Sequence, residues 1–229
     1  MSKYTATTII KKLKAKADPS QLAGMARFGI NPKGRLGASV KSIREVAKET
    51  GRDHQLALDL WKTGIAEARI LAAIIMDPEK ITAKQIDSWV KDLDSWDIND
   101  QMCMNFDKSP LAWKKLYDWV KSEQEFTKRA GYTMIACLAW HDKEAEDKKF
   151  VETLPLIKKA ATDERNMVKK AVNWALRNIG KRNLALNKIA LKTAKEIVRL
   201  DNKTARWIAK DAIRELESEQ IQTRLRKKK

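Results

Sequence analysis

A short acidic and aromatic run, Ser95-Trp96-Asp97-Ile98-Asn99-Asp100, lies in a 229-residue chain whose formal net charge is +17. Between Asp87 and Asp107 there are six aspartates and one basic residue, Lys91. Carboxylates repel a polyanion, so a basic chain that gathers them in one stretch has a use for negative charge there. A carboxylate beside an indole ring can stabilise a short-lived cation formed close to a polyanion. Trp96 and Asp100 are four residues apart, which on a helix puts them on one face, a turn from each other. Asp97 then points elsewhere, and Ser95 or Asp97 is the expected N-cap. Each residue also has a plainer reading: Trp96 as core packing, Asp100 as a solvated or capping acid.

Two further positions carry chemistry. Arg129 leads an otherwise apolar stretch containing Ala130, Tyr132, Met134, Ile135, Cys137, Leu138 and Trp140. An arginine placed so snorkels, pairs with an acid, or holds a phosphate with its planar fork. Trp174, in Val172-Asn173-Trp174-Ala175-Leu176-Arg177, is either core or a ligand contact. The two cysteines, Cys103 and Cys137, and the two histidines, His54 and His141, are isolated from one another, so no metal site is expected. There is no GxGxxG run and no Walker phosphate loop, so no cofactor, nucleotide or otherwise, is expected.

The charge is uneven. Residues 1–50 carry a net +8, residues 51–120 a net −3, and residues 121–229 a net +12. Two basic regions flanking a mildly acidic centre point to a polyanionic partner, because Lys and Arg gain affinity by releasing phosphate-condensed counterions; a generic solvated basic surface is the alternative. No apolar run approaches the roughly 20 residues of a membrane helix. The basic start of the chain lacks the apolar core and cleavage site of a signal peptide, so the chain reads as cytoplasmic.

The elements that must position these residues are helical. Gly (eight) and Pro (five) are scarce, and nearly every segment has helical period. Helices are expected at 4–17, 19–29, 39–51, 53–61, 65–76 and 82–93. A further one follows Ser95 as far as Met104. Ser109-Pro110 is expected as N-cap and N1 of a helix over 111–120. The remaining helices are expected at 124–141, 147–160, 164–179, 184–199 and 203–219. No segment alternates as a strand. Asn31-Pro32-Lys33-Gly34-Arg35-Leu36-Gly37 is the clearest loop, and residues 224–229 read as a frayed basic tail. Arg129-Ala130, Met134 and Leu138 are echoed 41 residues later by Lys170-Ala171, Ala175 and Ile179. Ala175-Leu176-Arg177 is echoed 37 residues later by Ala212-Ile213-Arg214. That spacing suits HEAT- or armadillo-like helix pairs. The expected architecture is therefore all-α: one repeat domain over 1–229, a curved solenoid with a basic concave face. A closed helical bundle is the alternative.

Taken together, these positions resemble the AlkD-type alkylpurine DNA glycosylases, which are built from HEAT-like repeats. The resemblance runs from about Met25 onward; residues 1–24, an amino-terminal helix, match poorly. It is densest in Asp94–Asp100, in Thr127-Lys128-Arg129-Ala130 and in Val172–Asn178. It implies that Asp100 is the essential carboxylate, that Trp96 and Trp174 line the lesion side, and that Arg129 faces a phosphate. Ser95 stands where the family often has a second aromatic residue.

The chemistry implied is hydrolysis of the bond between a positively charged N3- or N7-alkylated purine and its sugar, in double-stranded DNA, leaving an abasic site. A cationic base is already a good leaving group. The sugar gains oxocarbenium character, and a carboxylate beside it favours that transition state. Asp100, Trp96 and Arg129 are the expected catalytic residues. Trp174, Arg177, Lys128, Lys169 and Lys170 are expected to contact DNA, and the protein is expected to act as a monomer. The second reading is a catalytically silent repeat protein that binds duplex or branched DNA, and the third is a protein scaffold.

Overall fold

A computed structural model describes residues 3–227, and the described residues contain α-helices, one short 3-10 turn and no strand. They form two compact units, divided between Leu111 and Ala112. The expected all-α class holds among the described residues.

The first unit contains α1 (Ala6–Lys14), the 3-10 turn Pro19–Gln21, α2 (Leu22–Arg27), α3 (Val40–Thr50), α4 (His54–Lys62), α5 (Ala66–Ile75), α6 (Ala83–Lys91) and α7 (Trp96–Phe106). Four of these helices start where a short polar side chain accepts a backbone N–H three residues on: Thr5 from Thr8, Ser39 from Ser42, Asp53 from Leu56 and Thr82 from Gln85. The apolar stretch behind Ile65 is buried as expected: α5 packs against α1, α3, α4 and α7. Trp61 of α4 stacks on Trp89 of α6 with ring centroids 4.1 Å apart, and its indole N–H donates to Asp92 at 2.9 Å.

The loop 31–37 is held by two buried carboxylates. Arg35 sends Nη2 to Asp97 at 2.6 Å and to the Ser95 hydroxyl at 3.2 Å, while its Nε donates to the Asn31 carbonyl at 2.6 Å. Its side chain is 2% exposed. The Ser95 hydroxyl donates to Asp97 at 2.6 Å and accepts the Asn31 N–H at 3.3 Å. At the other end of the loop, fully buried Glu67 of α5 accepts the N–H groups of Leu36 and Gly37 at 2.9–3.1 Å. Gly37 has φ +82°, and a Cβ there would lie 2.1 Å from the Asp18 carbonyl oxygen, so only glycine fits. Ser95 does occupy the N-cap position of α7, yet its hydroxyl caps nothing; it is committed to the loop.

The second unit contains α8 (Ala112–Trp119), α9 (Glu125–His141), α10 (Asp147–Ala160), α11 (Asn166–Gly180), α12 (Leu184–Ile197), α13 (Lys203–Leu216) and α14 (Glu219–Lys227). Here α11 packs between α9 and α13, with α12 against both α11 and α13. The two segments that share the 41-residue echo, α9 and α11, pack against each other. Asn178 donates to the Ala136 carbonyl at 3.0 Å and Arg165 to the Glu123 carbonyl at 2.6 Å, each bond joining residues 42 apart. Gly131 lets α9 approach the end of α8: a Cβ there would lie 2.6 Å from the backbone nitrogen of Val120.

Three expectations are corrected. Residues 224–227 belong to α14, held by buried Ile221 and Leu225; the remaining tail residues, 228 and 229, lie outside the described residues. The helix expected from 111 begins at Ala112, because the Ser109 hydroxyl accepts the Leu111 N–H and closes a turn before it. The helix expected over 19–29 is a 3-10 turn followed by α2, because the Asp18 carboxylate accepts the Ser20 N–H and fixes the tighter geometry.

Two outcomes follow for stability. Arg35→Met leaves the Asp97 carboxylate buried beside a single hydroxyl, and is expected to cost about 3–5 kcal/mol in urea denaturation; Arg35→Met with Asp97→Leu is expected to recover part of that loss. Gly131→Ala pushes a methyl group against the Val120 backbone nitrogen as well as its side chain, and is expected to cost about 1–3 kcal/mol.

Candidate functional site

In the first unit, Trp96 and Asp100 sit one turn apart on α7, and both are half-buried. Between them, Asp97, Ile98 and Asn99 are buried, so the helix turns its other faces inward and leaves this pair at the surface. The Trp96 indole N–H donates to the Phe28 carbonyl at 3.0 Å. Its ring is therefore fixed by the segment that follows α2, and that segment is tied to Ser95 and Asp97 through Asn31 and Arg35. Asp97, near the positive end of α7, also gains from the helix dipole. The result is an indole and a carboxylate on one helical turn, with the helix start locked by a buried ion pair. This arrangement can face a developing positive charge with its orientation already set.

The other expected site residues lie in the second unit. Arg129 is 4% exposed and donates from Nη1 to the Met167 carbonyl at 2.8 Å, which ties α9 to the first turn of α11. Lys128 lies 3.5 Å from Asp163. Hydrogen bonding from Arg165 holds the Asp163 carboxyl below the usual carboxylate range; partial burial opposes this, and the charges of Arg165 and Lys128 add to it. Trp174 is half-buried on α11. Asn173 and Asn178 flank it: Asn173 donates to the Ile208 carbonyl of α13 at 3.1 Å and Asn178 to the Ala136 carbonyl of α9. These two buried amides set the rotation of α11 and with it the direction of Trp174.

Arg177, on the next turn, lies 2.7 Å from Glu215 and 3.4 Å from Asp211. Lys181 shares Glu215 at 2.9 Å. A phosphate approaching Arg177 therefore competes with two carboxylates. Lys169 holds its ammonium 5.4 Å from the centre of the Trp207 ring, a cation–π contact. Lys170 is exposed.

Sequence reasoning did not reach Arg35, Ser95 as a loop anchor, Glu67 or the Asn173–Asn178 pair as positioning groups. Arg35 carries one local signal, its place between two glycines in the clearest loop of the chain. Among the described residues no cluster of His, Cys, Asp and Glu could hold a metal ion, and no helix is long and apolar enough to cross a membrane.

No curated protein matches the chain significantly. Among solved structures, one is described as belonging to a new family of proteins related to the HEAT-like repeat DNA glycosylases, with affinity for branched DNA structures. It superposes with a TM-score of 0.77 over 93% of this chain and 95% of its own, at 22% identity. An engineered protein covers 93% of this chain and 99% of its own at 13% identity, and its TM-score of 0.45 carries no weight. The family model described as DNA alkylation repair enzyme matches residues 9–216, so the likeness begins nearer the amino terminus than the resemblance from about Met25. With that match over most of its length and a HEAT-like helical fold beneath it, the chain belongs to the DNA alkylation repair enzyme family.

Proposed function

We propose that the protein is a monofunctional DNA glycosylase for purines made cationic by alkylation at N3 or N7. The observation that carries this reading is the Trp96 and Asp100 pair on one turn of α7, fixed through the Arg35–Asp97 ion pair in a chain of net charge +17. The base leaves with the electrons of its bond to C1′ and becomes neutral. Positive charge passes to the sugar, where the Asp100 carboxylate stabilises it and the Trp96 ring face adds attraction. The oxygen of a water molecule then bonds to C1′; one of its protons stays in the new hydroxyl and the other passes to the carboxylate or to solvent. Neutral bases leave too slowly to react, so selectivity arises from the lability of the lesion. In the second unit, Trp174 is a DNA contact. Arg129, expected to face a phosphate, is buried and holds α9 to α11 through the Met167 carbonyl, so its role is positioning, while Lys128, Lys169, Lys170 and Arg177 hold the flanking backbone of duplex DNA.

A second reading is a DNA-binding protein without base-release activity. The solved structure with affinity for branched DNA favours it, since a chain of the same fold with a net positive charge can bind junctions through phosphate contacts alone.

The deciding experiment is release of free base from methylated duplex DNA. Wild type is expected to release methylated purine, and Asp100→Asn to lose about 10²-fold or more of that rate while keeping salt-sensitive duplex binding. Equal release by the two proteins contradicts the role given to Asp100. No release by wild type, with tighter binding to a four-way junction than to duplex, supports the second reading. The hold on the DNA backbone is tested separately. Lys169→Ala with Lys170→Ala is expected to flatten the dependence of log K on log salt by about 0.9 for each phosphate no longer neutralised.

A further inference from the structure

The second unit contains a recess that the α7 chemistry does not use. It is a cavity of about 430 Å³ at the carboxyl end of α9, bordered by Trp140 and Trp174, with Lys143, Lys181, Arg182 and Arg224 on its walls and Ala139 and Asn178 completing them. No carboxylate lines it. Trp140 is 53% exposed, a large apolar surface left in water where the rest of α9 is almost entirely buried. Its ring lies against the His141 ring with centroids 4.5 Å apart.

The walls are fixed by bonds that leave positive charge behind. Arg182 donates to the carbonyls of Asp142, Lys143 and Ala145 at 2.5–3.1 Å, which shapes the turn after α9, and its own charge is met by Asp147 at 3.6 Å. Lys181 is paired with Glu215. Lys143 bonds to the Trp140 carbonyl. Among the described residues, neither Lys143 nor Arg224 has a carboxylate partner. The recess thus joins two indole rings to at least two uncompensated cations. Aromatic faces take a flat π-system and the cations take an anion attached to it. Paired bases within a duplex expose only their edges, so a base face reaches these indoles only when it is out of the stack.

We propose that this recess holds one unpaired nucleotide of the bound DNA, its base against Trp140 and Trp174 and its phosphate toward Lys143 and Arg224. This rests on the DNA-binding part of the proposed function and adds to it the class of DNA preferred: duplex interrupted by an unpaired base. It does not depend on Asp100.

The test uses the full chain and two duplexes that differ by a single bulged 2-aminopurine. Wild type is expected to bind the bulged duplex about tenfold more tightly than the perfect one, the size expected for one base–indole stack, and to quench the 2-aminopurine fluorescence. Trp140→Ala is expected to lose both the preference and the quench while binding the perfect duplex as wild type does, and Trp140→Phe to restore part of each. Arg224→Ala is expected to weaken the preference. Equal affinity of wild type for the two duplexes, or preference and quench undiminished in Trp140→Ala, overturns the proposal. Absence of salt-sensitive binding to either duplex overturns the DNA-binding reading, and this proposal with it.

Discussion

The site in the first unit depends on one buried ion pair. Arg35 and Asp97 join a loop to the start of a helix, and neither charge has much access to water. Removing two charges from water is costly, and the cost is recovered only where geometry and extra hydrogen bonds are good. Here they are: the Ser95 hydroxyl donates once and accepts twice, and the third Arg35 hydrogen bond goes to a carbonyl. The net gain in stability from such a pair is modest. What it fixes is position. With the loop pinned at Asp97 and again at Glu67, the Phe28 carbonyl is placed to receive the Trp96 indole, and α7 cannot rotate without breaking the set. Preorganisation of this kind is what an electrostatic catalyst needs, because a carboxylate that reorients during the reaction loses much of its advantage.

The second unit reaches comparable rigidity with neutral groups. Asn173, Asn178 and Asn187 are buried amides that donate to backbone carbonyls of neighbouring helices or turns. Buried amides of this sort are costly when unpaired and stabilising when paired, so each selects one register of the helices it joins. Trp174 and Arg177 are positioned by two of them. Around Arg177 the basic surface is tempered by Asp211 and Glu215, so affinity for a polyanion there is the difference between two sets of partners.

Much of the fold was legible because helix formation is local. Periodicity and capping residues located nearly all the helices to within a few residues, and Ser39, Asp53 and Thr82 cap as their types predict. The segments that echo each other 41 residues apart, α9 and α11, are packing neighbours, joined by bonds between residues 42 apart. The spacing of Trp96 and Asp100 fixed their shared face. What escaped was non-local. Arg35 and Asp97 are separated by 62 residues, and nothing in a strongly basic chain singles out one arginine for burial. Ser95 has the residue type and position of a cap, so its diversion to the loop shows only in three dimensions. The final helix was hidden by its own charge, since Ile221 and Leu225 are too few to mark an apolar face among so many cations.

The chemical account rests on complementarity between the Asp100 carboxylate and a positive charge on the sugar. Affinity for a stable mimic of that charge measures it most directly, independently of any turnover. Duplex DNA carrying a cationic pyrrolidine ring in place of one deoxyribose should bind wild type at least about tenfold more tightly than duplex carrying a neutral tetrahydrofuran at the same position. Asp100→Asn should bind the two alike. Equal affinity of wild type for the cationic and neutral duplexes would contradict the account.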